Sequence, residues 1–252
     1  MNDKLVSPQY DSDTMLAYID ILGFKKLLKN EQLPYIVEMI ENILKADNSQ
    51  SYTEMLEIKT NLISDTFVVY AQLTEPKHIT AFLTYLGTII SRIHKIGNII
   101  TRGFVSSGVH YSKNNLWISP VFVEAYEGEQ KYSIHPRVIM GESAIELIRR
   151  IDGSFIESGW LVRDDDGFRF INYMMCISDA YRPTGDHIVV SLGSPGLAEA
   201  LIAHKRTIEY GLVNFKSYLS KYFWLANYHN SYITNNVKIA AKDKLLIDLS
   251  QF

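Results

Sequence analysis

The stretch TMLAYIDILGF, residues 14 to 24, constrains the fold more than any other part of the chain. It is short, apolar and closed by glycine, as a strand buried on both faces is. Yet Asp20 stands inside it, and burying an unpaired carboxylate costs several kcal/mol. A fold that begins this way has to bring Asp20 a cation or a donor. Beyond it, Phe24, Leu27, Leu28, Ile36, Val37, Ile40, Ile43 and Leu44 recur at helical spacing, with Pro34 marking a break or restart.

Two strand-like runs, 54–63 and 66–73, flank Ser64-Asp65, which reads as a tight hairpin with Asp65 at its tip. A second amphipathic helix runs through Ile79, Phe82, Leu83, Leu86, Ile89, Ile90 and Ile93 and ends at Gly97-Asn98 as at a left-handed cap. The run IITRGFVSSGVHY, 99–111, is a third strand region whose glycines point to a bulge or a close backbone approach. A short helix opened by Pro120 (120–132), a strand over 136–140 and a helix over 142–150 follow. This order predicts an α+β sandwich, with helices on one face of a mainly antiparallel sheet.

From about residue 155 the pattern changes. WLVRDDDGFRFINY reads as a hairpin turning on Asp-Gly, and SPGLAEAL opens a long helical tail with Ser194 as N-cap and Pro195 at N1. Residues 1–153 are therefore expected to form the main unit, and 154–252 a hairpin and aromatic-rich helical extension. Its Phe215, Tyr218, Tyr222, Phe223, Trp224 and Tyr228 suit core or dimer contact, with a regulatory role open.

Composition excludes several classes. With 25 Lys+Arg against 28 Asp+Glu, the formal charge of -3 offers no surface for nucleic acid or an anionic membrane. A single cysteine, Cys176, precludes an intramolecular disulfide and suits a reducing cytosol. No apolar run approaches the roughly 18 residues of a membrane span, so a cytoplasmic, membrane-free protein is expected. None of the 7 histidines stands at the i, i+4 spacing of a helical zinc pair. RDDDG, 163–167, lacks a calcium-loop pattern and reads as a solvated hairpin tip, and no nucleophile-elbow motif is present.

The remaining chemistry lies in Asp20 and Asp65. Singly, each has a plain reading, a helix cap and a hairpin residue. If their strands are neighbours, both carboxylates reach one rim, where two hard divalent cations roughly 4 Å apart find the oxygen ligands they prefer.

At this point the chain resembles a family. YIDILGF, then LISDTF, then RGFVSSG follow the motif order of class III nucleotide cyclases: an aspartate strand F-x-D-[IM]-x-G-[FYS], an I-G-D hairpin and an R-x-G strand. The resemblance covers roughly residues 14 to 150 and implies a class III cyclase-like (ferredoxin-like) sandwich. By position it implies that Asp20 and Asp65 bind two Mn²⁺ or Mg²⁺ ions, with the Ile21 carbonyl as a further ligand. It implies that Tyr18, Leu22, Gly23 and Phe24 border the substrate, the amides at the start of the first helix cradling its phosphates, and that Arg102 contacts the triphosphate. The implied reaction is in-line attack of the ribose 3′-hydroxyl on the α-phosphorus with release of diphosphate, at two sites of a head-to-tail homodimer.

Departures from the family narrow the substrate. Where purine cyclases carry lysine or glutamate to read the base, this chain has Asn61, whose carboxamide suits uracil or, flipped, cytosine. Leu116 falls near the other base position, and Val123 and Glu127 replace the family's Asn/Arg pair. The segments YIDILGFK, SDT, RGFVSSGVHY and SPVFVEAYEGEQ, with Glu124, Tyr126 and Glu129, look closest to the bacterial pyrimidine cyclases of Pycsar anti-phage systems. That resemblance implies conversion of UTP to cyclic UMP, or of CTP to cyclic CMP, as a messenger for a separate effector. A cyclase fold that binds nucleotide without turnover is the competing expectation, because the Asn/Arg pair is missing.

Overall fold

The structure is a computed structural model and describes residues 11–30, 33–45, 55–97, 99–113, 116–177, 181–184, 187–190, 195–238 and 242–252. In chain order its elements are β1 (Asp11–Leu22), α1 (Phe24–Asn30), α2 (Leu33–Lys45), β2 (Lys59–Ile63), β3 (Thr66–Gln72), α3 (Pro76–Gly97), β4 (Ile100–Lys113) and β5 (Leu116–Ile118). Then come α4 (Pro120–Tyr132), β6 (Val138–Met140), α5 (Glu142–Asp152), β7 (Leu161–Arg163), β8 (Arg169–Ile171), β9 (Tyr181–Thr184), β10 (His187–Val190), α6 (Pro195–Asn214) and α7 (Leu219–Asn236). Asn98 and Ser194, expected at helix ends, lie outside the described residues.

β1 is an interior strand of the sheet, and its alternation serves two faces at once. Met15, Ala17, Ile19 and Ile21 enter the main core, while Leu16 and Tyr18 belong to a smaller cluster on the other side. The sheet order is β2-β3-β1-β4-β6-β8-β7, with β5 paired to β4. Among the described strands only β4 and β6 run parallel. The run expected as a strand from residue 54 becomes strand only at Lys59, because Leu56 turns inward and is buried in the core instead.

The expected helical layer on one face is formed by α2, α3 and α5, whose Ile36, Met39, Phe82, Leu86, Ile145 and Ile148 are buried against it. α4 adds a smaller layer on the opposite face, where Val121 and Ala125 pack on Leu16, Val68 and Tyr70. Pro120 sits in its first turn and Ser119 caps it, the Phe122 N–H donating to the serine Oγ at 3.2 Å. Gly128 lets the helix approach closely, since a Cβ there would lie 2.5 Å from the Phe104 ring.

The sheet continues past the boundary expected at residue 153, because β7 and β8 complete it. Their hairpin turns at Gly167, φ 87°, with Asp165, Asp166 and Gly167 exposed as RDDDG suggests, but two of its aspartates are not merely solvated. Asp164 and Asp166 pair with Arg137, whose side chain is fully buried and lies over the rings of Phe170 and Trp224. Trp224 Nε1 in turn donates to Asp164 Oδ2 at 3.0 Å, so one arginine ties sheet, hairpin and α7 together. Replacing Arg137 by methionine should cost about 3 kcal/mol, read as a lower urea midpoint, because two carboxylates lose their buried cation. Adding Asp164→Asn should recover part of that loss.

α6 and α7 pack through Leu201, Ile208, Tyr222, Leu225 and Tyr228 into the same core, which accounts for most of the tail's aromatic residues. Between them and α3 lie His94, His204 and His229, all buried. β9 and β10 form a separate two-stranded ladder. Among the described residues no helix is long and apolar enough to cross a membrane.

Candidate active site

The β1–β3 and β1–β4 registers place Thr66 opposite Asp20 on one side and Arg102 opposite it on the other. Facing residues of antiparallel neighbours share a face, so these side chains form one row across three strands. Asp65 reaches the same rim through the β2–β3 hairpin, where Ser64 adopts φ 60° and the Ile21 N–H donates to the Asp65 carbonyl at 2.9 Å. That bond docks the hairpin tip on the end of β1. Gly23, φ 83°, then turns the chain into α1; a side chain there would be strained.

These elements border a cleft of ≈ 710 Å³ lined by Tyr18, Asp20, Ile21, Leu22, Gly23, Phe24, Lys25, Lys29, Asp65, Thr66, Arg102, Gln130, Tyr218 and Lys221. Thr66 Oγ1 donates to the Tyr18 hydroxyl at 3.3 Å, and the Tyr18 ring meets Phe122 and Tyr126 edge-on at 5.8 and 5.6 Å. Burial pushes the Tyr18 hydroxyl above its ordinary pKa.

Arg102 Nε donates to Asp20 Oδ2 at 3.3 Å and lies 2.7 Å from Glu129 Oε1. Its Nη1 reaches the Ser133 carbonyl at 3.4 Å. Burial raises the Asp20 carboxyl, Arg102 opposes that, and the Asp65 charge adds to it. Glu129 is raised by burial too, again opposed by Arg102, and its Oε2 accepts from Gln130 Nε2 at 2.5 Å. One guanidinium is thus shared by two desolvated carboxylates.

The donors suit a hard divalent cation. Asp20 and Asp65 repel one another across the rim, and Asp20 is held partly out of water, so a bound cation offsets both costs. Among the described residues no group of three His, Cys, Asp or Glu could hold a metal ion. Two carboxylates and a main-chain carbonyl are a sparse set, as Mg²⁺-type sites completed by water and phosphate oxygens are.

Of the residues expected from the sequence, Tyr18, Asp20, Ile21, Leu22, Gly23, Phe24, Asp65 and Arg102 all line this cleft. Asn61 does not; it stands opposite Val68, which faces Tyr18, so it occupies the next row of the same sheet face. Leu116, Val123 and Glu127 are exposed, the first on β5 and the others on α4. Sequence reasoning assigned no site role to Glu129, although a signal existed: Val121, Ala125 and Glu129 share a helical stripe, so a charge falls on the buried face of α4. Gln130, Tyr218 and Lys221 carried no such signal. His110 is buried with Nδ1 2.8 Å from Ser119 Oγ, and His135 stacks on Trp224 at 5.6 Å.

No protein-family model matches the sequence, and no curated protein matches it either. Solved structures do. The monomeric guanylyl cyclase domain of the RhoGC fusion protein from the aquatic fungus Blastocladiella emersonii is similar to this chain, with a TM-score of 0.50 and 15% identity over 65% of this chain and 96% of that one. The adenylyl cyclase CyaB from P. aeruginosa matches at a TM-score of 0.47 and 12% identity, over 66% of this chain and 97% of that one. The guanylate cyclase domain of RhGC from Catenaria anguillulae, solved in complex with GTP, matches at 0.46 and 15% over 65% and 96%. The fold is that of a class III cyclase catalytic domain, an α+β unit built on a mainly antiparallel sheet.

Proposed function

We propose that this protein is a nucleotide cyclase acting on a pyrimidine nucleoside triphosphate, UTP before CTP. The observation that carries this reading is the convergence of Asp20, Asp65 and Arg102 on one cleft, in a cyclase fold. Asp20 and Asp65, with the Ile21 carbonyl, would hold Mn²⁺ or Mg²⁺. When bound, such an ion supplies a lowered pKa for a coordinated hydroxyl and neutralises phosphate charge.

The chain's own residues do the rest. Arg102, between Asp20 and Glu129, is a fixed cation that offsets charge building on the departing diphosphate. Tyr18 and the turn Leu22–Phe24 close one wall, so the triphosphate is oriented against rigid elements. Asn61 lies outside its own cleft, which suits a base-reading residue that serves the partner's cleft in a head-to-tail homodimer. Exposed Leu116, Ile118, Val123 and Tyr126 offer that dimer an apolar surface. The biological reading that goes with it is a cytoplasmic, infection-responsive enzyme of anti-phage defence whose cyclic nucleotide acts on a separate effector.

Incubation with UTP, CTP, ATP or GTP in turn, with Mn²⁺, should yield cyclic UMP as the main product by mass spectrometry. Cyclic AMP or cyclic GMP alone would refute the pyrimidine reading, and no cyclic product from any substrate would refute the cyclase. A second reading, nucleotide binding without turnover, draws on Val123 and Glu127 standing where purine cyclases keep Asn and Arg. It predicts triphosphate binding with no product in that assay.

A further inference from the structure

We propose that Lys221, in the first turn of α7, binds the phosphate chain of the substrate and makes the C-terminal extension part of the active site. This rests on the reading of the cleft as a nucleoside-triphosphate site. Lys221 and Tyr218 come from the far end of the chain, yet both line the cleft beside Asp20, Asp65 and Arg102. They stand three residues apart at the start of α7, a spacing that puts them on one side.

The Lys221 ammonium differs from the other cations there. Arg102 is already committed to Asp20 and Glu129, while Lys25 and Lys29 are exposed to water. Lys221 is half-buried, and among the described residues no carboxylate lies within ion-pairing distance of it. Nζ donates to the Ile134 carbonyl at 2.7 Å, which uses one of its three N–H bonds and leaves two. Burial, and then the neighbouring Arg102 charge, push its pKa down. A desolvated cation beside another cation, with donors to spare, is what a polyanion satisfies.

Its position is not that of a free surface chain. Tyr222 and Leu225 are buried in the core, and Trp224 Nε1 is bonded to Asp164. These contacts fix the helix backbone immediately after Lys221, so the ammonium is presented from a rigid element. The alternative is purely structural: Lys221 pins the α4–β6 connection through Ile134 and has no part in binding.

Binding of inorganic tripolyphosphate and of UTP, each with Mn²⁺, is to be measured by calorimetry on the full chain, as wild type, K221M, K221Q and K221R. K221M keeps most of the apolar stem, and K221Q guards against loss of folding in that variant. The expected result is about tenfold weaker tripolyphosphate and UTP binding for K221M and K221Q, with most of the affinity regained in K221R. Wild-type affinity in the neutral variants, with only a lower melting temperature, would overturn the proposal. The cyclase reading fails separately: if no triphosphate gives a cyclic product but tripolyphosphate binding still drops in K221M, the assignment of Lys221 stands and the activity does not.

Discussion

Asn in place of Asp20 is expected to reduce cyclic-product formation by about 10³-fold or more while leaving the protein folded. The two halves of that result have one cause. Asp20 sits in a strand whose alternate residues are fully buried, and burial has already raised its carboxyl, so the ionised form is not what stabilises the native state. For a carboxyl raised on folding, the contribution to stability is present at low pH and lost as pH rises through the folded value. A neutral isostere removes that loss, keeps an oxygen for Arg102, and leaves Glu129 as the guanidinium's charged partner. Melting temperature at neutral pH should therefore shift by no more than about 3 °C, which corresponds to roughly 1 kcal/mol for a chain of this size.

Activity has no such compensation. An amide carries no charge for the cation, and about 4 kcal/mol of lost transition-state stabilisation corresponds to the 10³-fold decrease. Asp65→Asn should lose activity to the same degree, since its position at the hairpin tip depends on Ser64 and on the carbonyl bond to Ile21 rather than on its carboxylate. Steady-state rates with UTP and Mn²⁺, with melting curves on the same samples, check both halves. Retention of more than a tenth of wild-type activity in either variant would remove the aspartates from the chemistry.

What the sequence could convey here followed from the range of each signal. Asp20, Ser64-Asp65 and Gly23 are local: an apolar run, a two-residue turn and a closing glycine define each without reference to the rest of the chain. Their meeting on one rim needed only the antiparallel order of β1, β3 and β4. Arg137 shows the opposite case. RDDDG reads as a solvated turn, and its tip is exposed, but nothing within it reveals the buried Arg137 guanidinium, just before β6, that pairs with Asp164 and Asp166. Lys221 was equally invisible, because periodicity along α7 reports its aromatic face and says nothing about the cleft its first turn overlooks. The continuity of the sheet past residue 153 was hidden for a similar reason: β7 and β8 are three residues each, too short to register as strands of the main sheet.

Acidification from pH 7.5 to 5.5 should remove about 3 kcal/mol or more of folding stability, through three histidines that lie outside the cleft. His94, His204 and His229 are buried where α3, α6 and α7 meet. His204 Nδ1 lies 2.8 Å from His229 Nδ1, its Nε2 lies 2.8 Å from the Tyr173 hydroxyl, and His229 Nε2 lies 3.0 Å from the Leu245 carbonyl. His94 stacks on His204 at 5.7 Å and meets Tyr173 edge-on at 5.1 Å, with no hydrogen bond from either ring nitrogen. Burial lowers His94 to about 3 and His229 to about 4, and burial with the charges of its two neighbours holds His204 well below its ordinary value.

The unfolded chain titrates these groups near 6.5, so below that pH it binds protons that the native state refuses. Stability is then fully present above about pH 6.5 and falls as pH drops towards the folded values. At pH 5.5 His94 and His229 each contribute a loss of about 1.4 kcal/mol and His204 acts in the same direction, together a large share of the 5–15 kcal/mol typical of a domain. Asp20 and Glu129, raised on folding, act in the opposite sense and offset part of this loss. Urea unfolding at pH 7.5, 6.5 and 5.5 measures the slope. His94→Phe keeps the ring contacts and removes one of the three titrations, so its pH-dependent loss should be about 1.4 kcal/mol smaller than that of the wild type. Stability independent of pH across this range would mean that the three rings are protonated, or solvated, in the native protein.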